Sequence, residues 1–380
     1  MFYDIIKVYL LYISYVKKEG DSMKTVVIGI SGGVDSSVAA YLLKQQGYNV
    51  IGLFMVNWEE TDEQDNCTAE QDFEDVKRVA NKIGIPYYTV NYAKEYRDRV
   101  FSYFLEEYEK GYTPNPDVMC NKEIKFGPFL EHAMKLGADY IATGHYCKRV
   151  DRDDKVYLYK SFDKNKDQTY FLNQLNQSQL SKTLFPLADI DKTEVRRIAK
   201  ELGLITAEKK DSTGICFIGE RNFRQFLKGF LPAKKGVIKD LDGNVVGEHD
   251  GVMYYTIGQR RGLNIGGKNG YDSDRWFVVK KDVKTNTLYV NCGECDEMYS
   301  NGCIVTEFNW ITDKLEGEFD SQVKLRYRQP DQATHVTVLD EHTLRLDFVD
   351  KQRAVTVGQF AVLYDDEGMC IGGGRINSLQ

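Results

Sequence analysis

A β-branched run, Thr25 to Ile30, leads directly into Ser31-Gly32-Gly33-Val34-Asp35-Ser36-Ser37, and a stretch of helical periodicity from Ser36 to Gln46 follows. Strand, glycine turn and helix in that order confine the chain to a small set of α/β architectures. The run is too uniformly apolar for a sheet with one wet face, so it reads as a buried parallel strand. Val38, Leu42 and Leu43 recur at helical spacing, and Gly47 stands where a C′ glycine ends a helix. At the turn itself, Gly32 and Gly33 let backbone N–H groups approach an anion with no Cβ in the way. Ser31, Ser36 and Ser37 add hydroxyl donors, and the helix N-terminus adds partial positive charge. No lysine follows the glycines, so this is not the G-x-x-x-x-G-K-S/T design. The bland alternative is a plain strand–helix turn.

The alternation continues. Tyr48 to Val56 reads as a strand, Ala69 to Ile83 as a helix ended by Gly84, and Ile85–Val90, Tyr92–Lys110 and Asp139–Ala142 carry the pattern on. A doubly wound parallel sheet is expected, with ligand at the carboxyl ends of its strands, where Ser31–Ser37 would lie. Asp191-Lys192-Thr193-Glu194 resembles a capping box opening a helix to Leu202. After about Arg221 the pattern changes. Leu241-Asp242-Gly243-Asn244 is a hairpin signal within Val237–Val246. Short alternating runs follow at Trp276–Val279, Thr287–Val290, Gln322–Tyr327, Thr334–Leu339, Thr343–Phe348 and Gln359–Tyr364, predicting a small antiparallel barrel or sandwich. The expected parts are an extension over 1–22, an α/β domain over 23–221, a small central domain over 222–285 and a β-barrel over 286–380.

A length of 380 residues fits two or three domains. The net charge of −7 argues against a chain that merely coats nucleic acid. Charge is segregated, however. Lys192 to Lys239 holds 12 Lys/Arg against 5 Asp/Glu, and Asn57 to Asp75 holds 9 acidic residues and no basic one. Two solvated faces are the simplest reading. The apolar run Val8–Val16 is too short to span a bilayer and lacks the flanks of a signal peptide. Residues 1–22 are expected to be translated leader, with synthesis starting at Met23. The 8 cysteines are scattered rather than arranged as a disulfide framework, so a cytoplasmic protein with reduced thiols and no membrane association is expected.

Two cysteines stand out by context. Cys120 follows the Pro-bounded loop Asn115-Pro116-Asp117, at the start of an apparent helix, with Lys122 and Lys125 nearby. A helix N-terminus and these cations would favour its thiolate, and Asp117 would serve as acid or base. Cys216 lies among basic residues in a loop-like segment, Lys209 to Arg221. Taken alone, either could equally be a buried structural thiol. Cys292, Cys295 and Cys303 suggest a metal site but lack an apparent fourth ligand, so no metal is assigned. Gly262 to Asn269 nearly fits the phosphate-loop pattern but ends in Asn and runs into a turn, so it reads as a plain loop.

The Ser31–Ser37 loop resembles the S-G-G-x-D-S signature of the ATP pyrophosphatases. Loop and cysteine segments together resemble the bacterial tRNA-specific 2-thiouridylases from about Met23 to Arg375. Ala142–Tyr146, Lys166–Leu172, Tyr255–Leu263 and Arg326–Arg328 are similar to further motifs of that family. The resemblance implies a catalytic domain of adenine nucleotide alpha hydrolase type, a small central domain and a C-terminal barrel that grips tRNA. It implies ATP, with Mg²⁺, bound by Gly29, Ile30, Ser31, Gly32, Gly33, Val34, Asp35, Ser36, Met55 and Gly144. It implies tRNA contacts at Asn115, Pro116, Asp117, His145, Lys166, Asp167, Gln168, Arg326, Tyr327 and Gln359.

The implied chemistry begins with adenylation of the C2 oxygen of the wobble uridine. A sulfur-relay protein or cysteine desulfurase charges Cys216 with a persulfide. Cys120 then acts as nucleophile, either on the sulfur adduct of the adenylated carbon or by taking the persulfide's sulfane partner, and is left in a disulfide with Cys216. Three alternatives stay open: an iron–sulfur cluster on Asp117, Cys120 and Cys216; an amidating or condensing ATP pyrophosphatase; and a non-catalytic RNA-binding protein with a relic nucleotide domain.

Overall fold

A computed structural model describes residues 23–59, 68–211, 223–232, 234–265 and 275–380. The expected leader 1–22, Cys67, the Cys216 segment 212–222 and the Gly266–Asn269 part of the second glycine-rich loop lie outside the described residues. The described residues form two compact units, one of 23–97 with 120–211, the other of Asp98–Met119 with 223–380.

The elements run β1 (Thr25–Gly29), α1 (Val34–Gln45), β2 (Asn49–Val56), α2 (Thr68–Ile83), β3 (Tyr87–Asn91) and α3 (Ala93–Tyr96). Next come α4 (Ser102–Glu109), α5 (Pro116–Cys120), α6 (Pro128–Lys135), β4 (Tyr140–Ala142), β5 (Lys148–Arg152) and β6 (Lys155–Tyr159). They are followed by α7 (Gln177–Leu180), β7 (Thr183–Leu184) and α8 (Lys192–Glu201). The first unit is built on a five-stranded parallel sheet in the order β3-β2-β1-β4-β7. β1 lies at its centre, and Val26, Val27 and Ile28 are fully buried, as a strand covered on both faces requires. The chain winds one way from β1 to β2 and β3, and the other way from β4 to β7. The order therefore reverses between β1 and β4, which is where open α/β sheets bind ligands.

Helices α1 and α8 share one core: Val34, Val38, Ala39 and Leu43 pack with Val195, Ile198, Ala199 and Leu204. Gly47, Gly84 and Gly203 follow their helices in left-handed conformation, with φ of 82°, 75° and 63°. Asp191 caps α8, accepting the Glu194 N–H at 2.8 Å. The box is only half formed, because the Glu194 carboxylate is taken by Arg197. Its acceptors are drawn to the full guanidinium charge rather than to the cap N–H.

In the second unit, α9 (Phe223–Phe230) packs its Phe226 and Phe230 on Phe101, and Phe223 on Phe104 and Tyr108. A four-stranded sheet of β8 (Gly236–Lys239), β9 (Val245–His249), β10 (Trp276–Asp282) and β11 (Thr287–Cys292) has the order β10-β11-β8-β9. The hairpin at Gly243 forms as expected, with Asp240 Oδ1 accepting the Asn244 N–H at 2.7 Å. Last comes a closed antiparallel barrel. Its strands are β12 (Tyr299–Trp310), β13 (Glu318–Lys324), β14 (Gln332–Val338), β15 (Leu344–Arg353), β16 (Phe360–Tyr364) and β17 (Cys370–Leu379). Val305, Phe308, Val323, Val336, Leu346, Leu363 and Ile376 fill it.

The sequence pattern misses β12 and β17. A register break near Glu307, at φ 54°, interrupts the alternation in β12, and β17 carries Gly372-Gly373-Gly374. β13 stops at Lys324, so Arg326 and Tyr327 lie in the turn beyond it rather than in the expected strand. Among the described residues no helix is long and apolar enough to cross a membrane.

Candidate active site

The Ser31–Ser37 loop leaves the C-terminal end of β1 at the point where the strand order reverses. Gly32 sits at φ 72°, and a Cβ there would meet the backbone oxygen of Asp72 at 2.6 Å. Only glycine lets the loop lie this close to α2. Gly33 caps α1, and its carbonyl accepts the Ser37 N–H, the Ser37 hydroxyl at 2.8 Å and the Ser36 hydroxyl at 3.2 Å. The Ser36 hydroxyl also receives the Ser31 N–H at 3.2 Å. α1 begins at Val34, two residues before the expected start at Ser36, because Gly33 rather than a serine provides the cap. Ile30 and Val34 are buried in the core, so only their backbone faces the loop. A side chain on Gly29 would meet Met55 Cε at 3.3 Å, which puts the Met55 thioether over the end of β1.

Asp35 is the centre of a charged network that sequence reasoning does not find. Lys192 Nζ lies 2.7 Å from each Asp35 carboxylate oxygen, and the Tyr146 hydroxyl donates to Oδ1 at 2.7 Å. Burial and the neighbouring Asp35 carboxylate push the Tyr146 phenol far above its ordinary range, so it stays a donor. Lys192 also pairs with Asp211 at 2.7 Å, Arg196 pairs with it at 3.0 Å, and Lys166 pairs with it as well. Burial raises the Asp211 carboxyl, but Lys166 and Lys192 overcome it and bring it to about 2. Lys209 bridges to Asp72 and Asp75, each at 2.7 Å. One residue of the basic stretch, Lys209, thus meets two of the acidic stretch, Asp72 and Asp75, so these three do not sit on two independent wet faces. The one legible signal was charge excess; which lysine reaches Asp35 depends on the packing of α8 against α1.

Across the switch point stands the segment after β4. A Cβ on Gly144 would meet Ser36 N at 2.8 Å and the Asp35 carbonyl carbon at 3.0 Å, so Gly144 lies directly on the loop backbone. His145 is half-buried, its Nδ1 2.8 Å from the Thr143 hydroxyl, its ring stacked on Phe126. Burial and the charge of Lys125 hold its imidazole well below the usual range, so the ring is neutral near pH 7.

Cys120 is 2% exposed and ends α5, and a π-helical turn over Asn121–Lys125 continues the same helical run. The expected placement at a helix start is corrected: the run begins at Pro116, where proline suits the first helical position, and Cys120 lies a turn inside. Its thiol therefore does not face the free N–H groups of a helix end. A single π turn is a frequent mark of functional positions. Asn121 Nδ2 donates to the Phe171 carbonyl at 3.0 Å, while its buried Oδ1 has no hydrogen-bond partner among the described residues.

Within the second unit, Asn115 caps α5 by accepting the Val118 N–H at 3.2 Å, and its Nδ2 donates to Gln359 Oε1 at 3.2 Å. Gln359 Nε2 donates in turn to the carbonyls of Thr113 at 2.9 Å and Pro114 at 3.2 Å. Two residues singled out in sequence thus hold each other. Asp117 lies on the short helix α5 that Asn115 caps. Glu107, 2% exposed, receives Arg375 at 2.7 Å and Lys110 at 2.8 Å. Arg326 is exposed and donates to the Arg353 carbonyl at 2.6 Å, and Arg328 lies over the Tyr327 ring. Cys303 is in the barrel core, where burial raises its thiol to about 12; among the described residues no three Cys, His, Asp or Glu side chains group as metal ligands.

The chain matches the tRNA methyl transferase HUP domain over residues 24–220, the corresponding PRC-barrel domain over 224–292 and the aminomethyltransferase beta-barrel domain over 300–376. The tRNA-specific 2-thiouridylase MnmA of Oceanobacillus iheyensis is 57% identical over 357 residues, covering 93% of this chain and 95% of the relative. The tRNA-specific 2-thiouridylase MnmA 2 of Geobacillus kaustophilus is 59% identical over 356 residues, with 93% and 95% covered. Among solved structures, the U34-tRNA thiolase NcsA of Methanococcus maripaludis, with its 4Fe-4S cluster, matches 55% of this chain and 67% of its own at 20% identity. Its TM-score is 0.36, a likeness too distant to bear on the site. With full-length relatives at this identity, the chain belongs to the tRNA-specific 2-thiouridylase family.

Proposed function

We propose that the chain replaces the C2 oxygen of the wobble uridine in tRNA with sulfur, consuming ATP and giving 2-thiouridine, AMP and pyrophosphate. The observation that carries this reading is the Ser31–Ser37 loop at the switch point, with no lysine in its own sequence and backed by the N-terminus of α1. Such a loop suits a pyrophosphate leaving group, and a uracil oxygen is a poor leaving group until it carries AMP. Asp35 and Gly144 shape the ATP site. For Mg²⁺ the fit is poor as the loop stands, because Lys192 already occupies both Asp35 oxygens.

In the proposed sequence, the C2 oxygen attacks the α-phosphorus and pyrophosphate leaves. The terminal sulfur of a Cys216 persulfide attacks C2 and AMP leaves. The Cys120 thiolate then attacks the Cys216 sulfur, breaking the sulfur–sulfur bond to the base and leaving a Cys120–Cys216 disulfide. A thiol reductant restores both cysteines. Asp117 handles the proton as acid or base. Asn115, Pro116 and Asp117 would line the place of the extruded base, since chemistry on a base requires unstacking it. His145, Lys166, Asp167, Gln168, Arg326, Tyr327 and Gln359 stay proposed for the tRNA side, in a cytoplasmic enzyme charged by a sulfur-relay protein or cysteine desulfurase. The proposed parts are a catalytic domain over 23–221, a central domain from 222 that takes in β11, which the expected boundary at 285 leaves to the barrel, and a tRNA-gripping barrel from β12 onward.

Methyl transfer, which the descriptions of the matched domains would suggest, has no use for a pyrophosphate loop or a cysteine pair. The test is incubation with ATP, a persulfide donor and unmodified tRNA, followed by a mercury-containing gel. Retarded tRNA is expected, and Cys120→Ser and Cys216→Ser each abolish it while leaving tRNA binding nearly intact. Unretarded tRNA with a proven donor and reductant overturns the reading. Iron in anaerobically purified protein, lost with Cys120→Ser, would replace the persulfide with a cluster.

A further inference from the structure

The loop from Lys160 to Gln168 follows β6, and its side chains divide into two sets. Asp167 is 3% exposed, with its carboxylate accepting the Ser161 N–H at 3.2 Å and the Thr169 hydroxyl at 2.8 Å. Gln168 Oε1 accepts the Tyr146 N–H at 3.0 Å, and Lys166 pairs with Asp211. These groups brace the loop. Facing out are Phe162, 67% exposed, and the exposed Lys164 and Asn165.

The backbone under Phe162 is fixed at several points. Its N–H donates to the Ala188 carbonyl at 2.9 Å. Asp163 accepts the N–H groups of Asn165 at 3.0 Å and Lys166 at 3.2 Å, and that of Lys192 at 3.0 Å. The Ser161 hydroxyl closes the turn on the Asp163 carbonyl at 3.0 Å. Single exposed apolar side chains are ordinary, and a slack loop would need no explanation for one. Here a braced turn holds a phenyl ring in water against its hydrophobic preference. Two acids of the neighbouring segments are held by cations: Asp189 by Lys148 at 2.8 Å, and Asp211 by Lys166, Lys192 and Arg196. Lys164 is exposed two residues along the chain from the ring.

We infer that Phe162 is a stacking platform for an unpaired base of the tRNA, with Lys164 on an adjoining phosphate; the inference rests on the tRNA reading above. Unstacked bases dock on aromatic faces irrespective of sequence, and lysine supplies the phosphate contact that sets register. The braced turn pre-organises the ring, so little ordering is lost on binding. Phe162 and Lys164 thereby extend the tRNA contacts proposed for this loop, and Asp167 also shapes its turn.

Fluorescence anisotropy with labelled, unmodified tRNA tests this on the full-length protein. Phe162→Ala is expected to weaken binding by about 5- to 100-fold, the loss of one stacked base. Phe162→Tyr retains near-wild-type affinity. Lys164→Ala lowers the slope of log affinity against log salt by about 1. The thermal midpoint of Phe162→Ala stays that of wild type, since an exposed ring adds little to folding. With the stacked nucleotide made abasic, Phe162→Ala costs nothing further. Unchanged affinity for Phe162→Ala, or equal losses for the alanine and tyrosine variants, overturns the platform. Wild-type protein that binds no tRNA overturns the tRNA reading itself, and the platform with it.

Discussion

The Ser31–Ser37 loop and the stretch from Gly111 to Asn115 ahead of Cys120 are held in contrasting ways. The loop closes on itself: Ser31 bonds Ser36 five residues on, and Gly33 receives Ser36 and Ser37. The Gly111–Asn115 stretch makes its tie with Gln359, 244 residues from Asn115 in the chain. A self-closed loop needs little more than its own residues to take shape. A segment seated by distant residues takes shape only when the barrel has folded, which makes its position a property of the whole second unit. Damage to the barrel seat should therefore spare ATP binding and impair sulfur transfer, and damage to the loop should impair ATP binding first.

The largest expected effect comes from Arg375→Met. Glu107 is buried, and losing Arg375 strips one of its cations while Lys110 remains. Removing one partner of a buried pair costs about 3–5 kcal/mol, with the surviving Lys110 holding the loss to the lower part of that range. Chemical denaturation would read it as a lower midpoint for the unit containing the barrel. A variant as stable as wild type would mean that Glu107 is satisfied by Lys110 alone and that the seat is not built on Arg375.

Gly144→Ala attacks the other side of the comparison. The added methyl meets Ser36 N at 2.8 Å, a backbone atom that cannot yield without moving the loop. A displacement of this kind is expected to lower thiolation on the order of a hundredfold. The loss should appear in ATP affinity, read by equilibrium dialysis, with tRNA affinity unchanged. Normal ATP binding in this variant would show the loop to be more pliable than its hydrogen bonds suggest.

Gln359→Met is subtler. It removes the acceptor of Asn115 and the donor to the Thr113 and Pro114 carbonyls, a loss of about 1–3 kcal/mol. As a seat, Gln359 would affect the thiolation rate and the stability of the second unit at constant tRNA affinity. As a tRNA contact, it would raise KM for tRNA and leave the thermal midpoint alone. Measuring both quantities in one variant decides between the two roles.

Legibility in the sequence follows the same division. The strand–loop–helix unit, the glycine stops after α1, α2 and α8 and the Asp191 cap depend on residues a few positions apart, and sequence reading placed them. The bonds of Lys192 to Asp35 and of Asn115 to Gln359 depend on how whole elements pack, which no local pattern encodes. The barrel was expected, yet β12 and β17 were missed where a left-handed residue and a glycine triplet broke the alternation that a strand needs to be recognised. Even the placement of Cys120 turned on one local fact that a fuller reading of Asn115-Pro116 would have supplied. Asparagine followed by proline is a cap followed by a first helical residue, so the helix starts before the cysteine.

The smallest expected effect concerns pH, and it isolates His145 on the loop side. Burial and Lys125 keep its imidazole neutral in the folded protein, whereas in the unfolded chain it takes up a proton near its ordinary value of 6.5. Below that pH the unfolded state therefore binds one more proton than the folded state. Stability contributed by this group is intact above about pH 7 and falls as the pH drops below about 6.5. His145→Gln keeps an acceptor near the Thr143 hydroxyl but cannot titrate. The difference in thermal midpoint between wild type and this variant should shift in favour of the variant from pH 7 to pH 5. A difference that stays constant over that interval would mean that the folded protein admits the proton, with the imidazolium finding a partner on the loop side that overcomes Lys125.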